Sequence, residues 1–386
     1  MKMKKVVSVM LAVMMTAAMT AGCGAAGAKG GSDTFKIGVI GPLTGGAAAY
    51  GTAVQYAAEI AVEEINAAGG INGKQVEIKS EDDELDAQKS VNAYNTLKDW
   101  GMNVLVGSVT SACSIAVSEE TKNDNMFQIT PSGSALDCVK YDNVFRVCFS
   151  DPAQGAASAR YIGEKGLASK VGVIYDSSDV YSSGIFQSFE QEAASQNFEI
   201  VSAEAFTADS KTDFSVQLQK AKDAGAELVF LPIYYTEDSL ILQQADTMGY
   251  KPIFFGCDGL DGILGVENFD TSLAEGAMLL TPFAADADDE LTKKFVATYE
   301  EKHGDTPNQF AADAYDAVYA IKAAAEKENV TPDMSISDMC EALKKGFTEI
   351  TVDGLTSNGM TWDQSGEPTK EPKAVVIQNG TYVSAQ

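Results

Sequence analysis

Short apolar segments that suit β-strands alternate with longer amphipathic segments that suit α-helices along most of this chain. The first strand segment is FKIGVIG at 35–41. After it, apolar residues recur at helical spacing, at Val54, Ala57, Ala58, Ala61, Val62 and Ile65. Alternation of this kind forms parallel sheets with right-handed crossovers and helices on both faces. The 386 residues are also too many for one small domain, so the pattern predicts an α/β protein with two doubly wound domains.

The predicted elements form two similar series, the second of which begins with KVGVIY at 170–175. Strands are predicted at 35–41, 75–80, 103–107, 126–130, 144–149, 170–175, 199–205, 227–233, 252–256, 275–281 and 374–377. Helices are predicted at 54–65, 92–100, 115–123, 185–195, 214–224, 238–248, 290–302, 312–327 and 338–346. The elements after 275 must belong to one of the two domains. In the simplest layout the chain returns to the first domain and then crosses once more to the second.

The N-terminal residues have the layout of a secretory signal. Three lysines precede an apolar run at 6–19, which is shorter than the roughly 20 residues that span a bilayer. The run ends in TAGC, which resembles the lipobox of bacterial lipoproteins, with Thr20 in place of the usual leucine. We therefore predict a signal peptide at 1–22, lipidation of Cys23 and a flexible tether at 23–33 that anchors the protein to a membrane. Ordinary cleavage beside a chance cysteine is the alternative.

The charge of the chain limits its partners. The 28 basic and 55 acidic residues give a formal net charge of −27, and removal of residues 1–22 leaves 25 basic and 55 acidic residues, or −30. A surface of this sign repels polyanions, so we expect no nucleic-acid partner. We expect a soluble, exported monomer.

The chain has a single histidine, His303, which rules out most histidine-built metal sites. A Ser or Cys triad would have to use this residue as its base. The strand-terminal loops at 41–51, 107–114, 130–135, 176–183, 233–238 and 256–261 carry no nucleotide-binding or catalytic motif. We expect no cofactor, no metal and no catalytic residue, and we expect the acidic run at 81–84 to be a solvated loop.

Five cysteines follow Cys23, and none of them forms a C-x-x-C pair. Cys113 and Cys138 each follow a loop at the top of a neighbouring predicted strand. Either these two cysteines pair, or all five are buried free thiols.

Five stretches resemble the substrate-binding proteins of ABC importers, of the Leu/Ile/Val-binding type. They are IGVIGPLTG…YG at 37–51, INAAGGINGKQVEI at 65–78, ITPSGSA at 129–135, FRVCFSDPAQG at 145–155 and TPNQFAADAYDA at 306–317. The resemblance implies the type I periplasmic-binding fold, in which two doubly wound parallel-sheet lobes are joined by a three-strand hinge. It places one lobe at 34–151 plus 282–356, and the other at 152–281 plus 357–386.

The resemblance also implies a site for an amino acid between the lobes. Ser111 and Ser134 match positions that hold the α-carboxylate, and Ser134 also touches the ammonium group. Ser132 matches a position whose backbone carbonyl accepts from the ammonium group. Asp258 matches the carboxylate that pairs with this group, where the family's best-known members have glutamate. The aromatic positions of the pocket are Tyr50, Tyr181, Tyr234 and Phe310.

Each of these residues also has a simpler interpretation. Ser111 and Ser134 are residues that often cap helices, and an Asp after a strand, such as Asp258, is usually a cap or solvated. The tyrosines suit half-buried packing, and Phe310 suits a hydrophobic core. The resemblance implies an ABC importer's binding protein that takes an L-amino acid, branched-chain or otherwise aliphatic, and delivers it to a membrane permease. The same fold binding an amide, urea or aromatic acid is the alternative. An extracellular hydrolase that uses His303 as its base is a more remote alternative.

Overall fold

The computed structural model describes residues 33–370 and 372–385. Its strands are β1 (Thr34–Gly41), β2 (Gln75–Asp82), β3 (Val104–Val106), β4 (Gln128–Thr130), β5 (Val144–Arg146), β6 (Lys170–Asp176), β7 (Glu199–Phe206), β8 (Leu228–Leu231), β9 (Ile253–Gly256), β10 (Met278–Thr281), β11 (Lys373–Gln378) and β12 (Thr381–Ser384). Its helices are α1 (Ala48–Ala67), α2 (Ala87–Trp100), α3 (Ser111–Asp124), α4 (Asp151–Lys165), α5 (Val180–Ala193), α6 (Ser215–Asp223), α7 (Tyr235–Thr247), α8 (Glu290–His303), α9 (Gln309–Lys327) and α10 (Ile336–Phe347). The predicted signal peptide, Cys23 and nearly all of the tether lie outside the described residues.

The strands form two sheets, as the alternation predicts. The first sheet has the order β2-β1-β3-β4-β5 and is parallel throughout. The second has the order β12-β11-β10-β9-β8-β6-β7, and its pairs from β10 to β7 are parallel. In both sheets the order reverses direction beside the first strand of the series, as in doubly wound folds. The predicted α/β class is confirmed.

One edge of the second sheet differs from the predicted pattern. Strands β11 and β12 are antiparallel to their neighbours and form a hairpin, and β12 was not predicted. The turn residues Asn379 and Gly380 have φ angles of 53° and 72°, which is the backbone that a two-residue hairpin turn requires. An Asn-Gly pair followed by a polar strand is the signal that apolar alternation alone overlooks.

Helix α4 is also absent from the predicted elements. Its buried face recurs at helical spacing but consists mainly of small or polar residues, namely Asp151, Gln154, Gly155, Ser158, Ala159 and Ile162. These residues let α4 approach α5 closely: a Cβ atom on Gly155 would lie 2.3 Å from the Ile185 carbonyl oxygen. Apolar periodicity does not reveal a helix whose contact face consists of small and polar residues.

The chain passes between the sheets at the ends of both series. It crosses from β5 to β6 through α4, and after β10 the helices α8 and α9 pack against α1 beside the first sheet. It then returns to the second sheet at β11. The exact lobe boundaries given above stay a prediction. No helix of the described residues is long and apolar enough to cross a membrane.

The five cysteines that the structure describes are buried free thiols, so the pairing of Cys113 with Cys138 is wrong. Burial raises the pKa of each of these two thiols to about 12. The Cys138 thiol instead lies 3.7 Å from the Ser111 carbonyl oxygen, to which it donates. Both thiols are therefore protonated packing groups beside the loops that follow β3 and β4.

The acidic run at 81–84 is not a fully solvated loop. Asp83 is completely buried and accepts hydrogen bonds from the Ser108 and Ser90 hydroxyls and from the Leu85 amide. Burial raises the pKa of this carboxyl group. Asp83 therefore joins the end of β2 to the loop after β3, which carries site residues. Among the described residues, no group of three or more His, Cys, Asp or Glu side chains is arranged to hold a metal ion.

Candidate ligand-binding site

A narrow cavity lies where the carboxyl ends of strands from both sheets face each other. Loops in this position form ligand sites in open α/β sheets. Seven of the eight predicted site residues line it, and the full lining is Tyr50, Val109, Thr110, Ser111, Ser132, Tyr181, Tyr234, Asp258, Gly259 and Phe310. The structure thus brings together residues that are up to 260 positions apart in the chain.

The side of the cavity beside the first sheet carries three serines, Ser111, Ser132 and Ser134, which we call the serine wall. Ser111 is the first residue of α3, and its hydroxyl oxygen accepts from the Ser134 amide at 3.2 Å and the Ala135 amide at 3.1 Å. The N-cap of α3 is Thr110, and neither Ser111 nor Ser134 caps a helix in the described part of the chain. The capping interpretation is therefore wrong for both serines.

The other two serines differ in their surroundings. Ser132 donates its hydroxyl proton to the Val109 carbonyl oxygen at 2.6 Å, which ties the loop after β4 to the loop after β3. Ser134 lies behind the cavity lining, where its hydroxyl lies beside the buried Asp151 carboxyl group. Burial raises the pKa of Asp151, and the hydrogen bond from Ser134 opposes this rise.

The opposite side of the cavity carries Asp258, Tyr181 and Tyr234, which we call the acidic wall. Asp258 follows β9 and is 4% exposed. Its carboxylate accepts from the Tyr181 hydroxyl at 2.6 Å, and that hydroxyl oxygen accepts from the Gly259 amide at 3.0 Å. Burial raises the pKa of Asp258 to about 6, although the Tyr181 hydrogen bond opposes the shift. The wall thus presents one buried carboxyl group in a ring of aromatic surface.

The four predicted aromatic residues form a continuous cluster. The Tyr181 and Tyr234 rings stack with centroids 5.1 Å apart, and Tyr50 meets Tyr234 edge-on at 5.7 Å. Phe310 packs on Tyr50 at 4.2 Å. Phe310 lines the cavity and also belongs to the main hydrophobic core, so its core interpretation is confirmed and its contact with a ligand stays a prediction.

Hydrogen bonds join the two sides around the cavity. The Tyr50 hydroxyl on α1 donates to the Gly259 carbonyl oxygen at 2.5 Å. The Tyr235 hydroxyl accepts from the Ala49 amide at 3.2 Å, and the Thr236 hydroxyl donates to the Gly46 carbonyl oxygen at 2.6 Å. The loops of the two sheets therefore touch, and the cavity is narrow.

Two glutamines also hold the acidic wall and were not predicted as site residues. Gln154 on α4 accepts from the Asp258 amide at 3.2 Å, and Gln309 on α9 donates to the Asp258 carbonyl oxygen at 3.3 Å. The Asp261 carboxylate accepts from the backbone N–H of Gln309 at 2.9 Å, and burial raises the pKa of Asp261 to about 7. Both glutamines fall inside stretches that carried the family resemblance, so position in a shared motif was the available signal.

His303, the base that a hydrolase would need, is not part of this cavity. Its ring stacks on Tyr56 with centroids 3.8 Å apart, and it lines a separate groove between α1, α8 and the β11–β12 hairpin. Burial lowers its pKa.

Comparison with known proteins agrees with this architecture. A family model described as "Periplasmic binding protein" matches residues 34–380, which is most of the chain. The chain belongs to the periplasmic binding protein family. Its relatives include "Leu/Ile/Val-binding protein homolog 3" of Brucella melitensis, 32% identical over 86% of this chain and 89% of the relative. A second is the "Leucine-, isoleucine-, valine-, threonine-, and alanine-binding protein" of Pseudomonas aeruginosa, 30% identical over 77% of this chain and 79% of the relative.

Solved structures of this family superpose on the chain. The branched-chain amino acid transporter substrate-binding protein LivJ of Streptococcus pneumoniae, in complex with isoleucine, has a TM-score of 0.83 and 29% identity. The match covers 92% of this chain and 99% of that one. The predicted type I periplasmic-binding fold and the resemblance to the Leu/Ile/Val-binding type are confirmed. The relatives are named as binding proteins, not as enzymes.

Proposed function

We propose that this protein is the extracytoplasmic substrate-binding lipoprotein of an ABC importer, which binds an L-amino acid with a branched or other aliphatic side chain. The observation that carries the proposal is the arrangement of the cavity. A donor-rich serine wall faces an acidic wall across the narrow cavity, and aromatic rings line the remainder. An amino acid has the complementary shape: a carboxylate at one end, an ammonium group beside it, and an apolar side chain.

The serine wall suits the carboxylate. The Ser111 hydroxyl and the backbone amides of Ser134 and Ala135 are clustered here. Hydrogen bonds from such groups to a carboxylate are charge-assisted and stronger than those between neutral partners. The ligand would displace the Ser111 oxygen as the acceptor of these amides.

The acidic wall suits the ammonium group. The Asp258 carboxylate is buried, and in the absence of a cation it bears the cost of desolvation, which is why its pKa is raised. A bound ammonium group would offset this cost and keep the carboxylate ionised. Ser132 contributes its backbone carbonyl, while its hydroxyl holds the neighbouring loop.

The aromatic cluster suits an apolar side chain. Tyr50, Tyr181, Tyr234 and Phe310 enclose the cavity with ring faces and edges, which bury aliphatic surface well. The names of the Brucella melitensis and Pseudomonas aeruginosa relatives include leucine, isoleucine and valine, which supports a branched-chain ligand.

The ligand would control the motion of the two lobes. It stabilises the closed form because it contacts the serine wall on one lobe and the acidic wall on the other. The closed protein would then dock on the membrane permease and release its ligand. Binding needs no cofactor, metal or general base, so we propose a monomeric receptor without enzymatic activity. Cys23 would carry the lipid that anchors it to the membrane.

An amide, urea or aromatic acid in the same cavity is the alternative. A ligand without a cationic end would leave the buried Asp258 carboxylate unpaired, which costs several kcal/mol. Asp258 therefore favours the amino acid.

The test is thermal unfolding of residues 24–386 with a panel of amino acids and small acids, after co-purified ligand has been removed. An amino acid at 100 times its dissociation constant should stabilise the protein by about 2.7 kcal/mol. If no L-amino acid raises the midpoint, the proposal is wrong. A rise with benzoate or urea alone would support the alternative.

A further inference from the structure

Arg146, the last residue of β5, is a fully buried cation close to the serine wall that does not itself line the cavity. Its guanidinium donates to three consecutive carbonyl oxygens of the turn after β4. One terminal nitrogen contacts the Gly133 oxygen at 3.0 Å and the Ser134 oxygen at 2.5 Å, and the other contacts the Ala135 oxygen at 3.0 Å. A planar fork of donors of this kind fixes the orientation of its acceptors, which a lysine ammonium group cannot do.

The contacts of Arg146 determine where the amides of the turn point. The C=O and N–H groups of a trans peptide point in opposite directions. The Gly133 carbonyl and the Ser134 amide belong to one peptide, and the Ser134 carbonyl and the Ala135 amide belong to the next. Because both carbonyls are directed at Arg146, both amides are directed away from it, and both donate to the Ser111 hydroxyl oxygen that lines the cavity.

The same side chain reaches the segment that leads to the last crossing. Arg146 lies 3.2 Å from the Glu367 carboxylate, which is 30% exposed. The Arg146 amide donates to the Gly366 carbonyl oxygen at 3.0 Å, and its carbonyl oxygen accepts from the Trp362 ring at 2.7 Å. The turn, β5 and residues 362–367 therefore form one connected unit around a single positive charge.

We infer that Arg146 is a positioning residue for carboxylate recognition: it holds the turn at Gly133–Ala135 so that two peptide amides point to the Ser111 side of the cavity, where the ligand's carboxylate would bind. This inference rests on the proposed function for the identity of the ligand, and on the peptide geometry alone for the orientation of the amides.

The test compares Arg146→Lys with wild type in the purified full chain, using L-leucine and L-leucinamide as probes. Lysine keeps the buried charge but loses the fork, so this variant is expected to fold. We expect its affinity for leucine to fall about 10- to 100-fold, the size of one or two lost charge-assisted hydrogen bonds. Its affinity for leucinamide, which has no carboxylate, should change less than about threefold.

Two variants serve as controls. Arg160→Lys alters an exposed arginine that pairs with Glu192, and it should change neither affinity. Glu367→Gln removes the ion pair but leaves the three carbonyl contacts, and it should change leucine affinity less than about threefold. Equal losses for leucine and leucinamide in Arg146→Lys would mean that Arg146 supports the fold generally, and would overturn the inference.

A measurement without ligand separates this inference from the proposed function. Amide hydrogen exchange at Ser134 and Ala135 should be about tenfold faster or more in Arg146→Lys than in wild type, while amides in the core of α9 stay protected. Unchanged exchange at the two turn amides would overturn the inference even if leucine binds. If the wild type binds no amino acid, the proposed function fails, whereas accelerated exchange would still support the positioning role.

Discussion

The serine wall and the acidic wall of the cavity are built in different ways. The serine wall consists of loop groups that satisfy one another: Ser111 accepts two amides, Ser132 holds the next loop, and Arg146 holds the turn from behind. The acidic wall instead presents a buried carboxylate, Asp258, whose raised pKa records an unfavourable environment for its charge. One wall therefore contributes to the stability of the fold, whereas the other is completed by its ligand.

This difference has a consequence for substitutions. A change in the serine wall leaves buried donors unpaired, so it should lower both stability and affinity. A change in the acidic wall removes a charge that the empty protein does not favour, so it should lower affinity alone. Functional sites commonly retain such locally unfavourable groups.

The largest expected effect is that of Asp258→Asn. We expect leucine affinity to fall about 100-fold or more, because the ammonium group loses its buried counter-charge. The free energy of unfolding of the ligand-free protein at pH 7 should stay the same or rise, since burial penalises the charged form of this group. Calorimetric titration and chemical denaturation measure the two quantities. Glu267→Gln, an exposed residue after the same loop, is the control. An affinity within threefold of wild type would exclude Asp258 as the partner.

Ser111→Ala should break the serine wall. The Ser134 and Ala135 amides lose their acceptor, so we expect the free energy of unfolding to fall by about 1–3 kcal/mol and leucine affinity to fall about tenfold. Ser118→Ala is the matched control on α3, because the Ser118 hydroxyl bonds only within its own helix. Equal denaturation midpoints for the two variants would contradict the idea that the serine wall supports the fold.

The pH dependence of binding tests the role of Asp258 in the acidic wall. The pKa of Asp258 is raised from 3.8 to about 6, so the native ligand-free protein holds this proton more tightly than the unfolded chain does. This group therefore lowers stability as pH rises from about 4 to about 6. In the native protein it ionises, and so becomes available to an ammonium group, between about pH 5 and pH 7. Leucine affinity should fall about tenfold from pH 7 to pH 5.

The pH profile of Asp258→Asn assigns the effect. Its leucine affinity should be nearly flat between pH 5 and pH 7. A slope that persists in this variant would point to another buried acid, such as Asp261, whose pKa burial raises to about 7.

The smallest expected effect is that of His303→Gln. Because His303 lies in a separate groove, leucine affinity should change less than about twofold, and loss of the stacking on Tyr56 should lower stability by less than about 1 kcal/mol. Titration and thermal unfolding measure both quantities. A catalytic activity that disappears with His303 would instead support the hydrolase hypothesis.

Sequence reasoning was accurate where apolar periodicity decides the structure. The strand predicted at 35–41 is β1 to within one residue, because a short, nearly continuous apolar run is typical of a strand in a parallel sheet that is covered on both faces. It missed α4, whose buried face is small and polar, and it misjudged Asp83, whose burial depends on Ser108 of a neighbouring loop. Such features depend on contacts between distant segments, which a local pattern does not contain.

The site residues also divide into those that a local sequence pattern predicts and those that depend on contacts between distant segments. Seven of the residues that the family resemblance predicted line one cavity, yet the resemblance did not identify Gln154, Gln309 or Arg146 as site residues. These side chains act on the backbone of other site residues. Their importance is visible only when the direction of each carbonyl and amide group is known.

The hydrogen bond from Thr236 to the Gly46 carbonyl joins α7 to the loop after β1 without lining the cavity. In the proposed motion of the two lobes, its free energy adds to that of the closed form whichever ligand is bound. A substitution here would shift the concentration threshold of the receptor by the same factor for every amino acid and leave its ranking of amino acids unchanged. The ligand concentration at which the receptor responds and its preference among amino acids can therefore evolve separately. Contacts outside the cavity lining, such as that of Thr236, set the first, and the cavity lining sets the second.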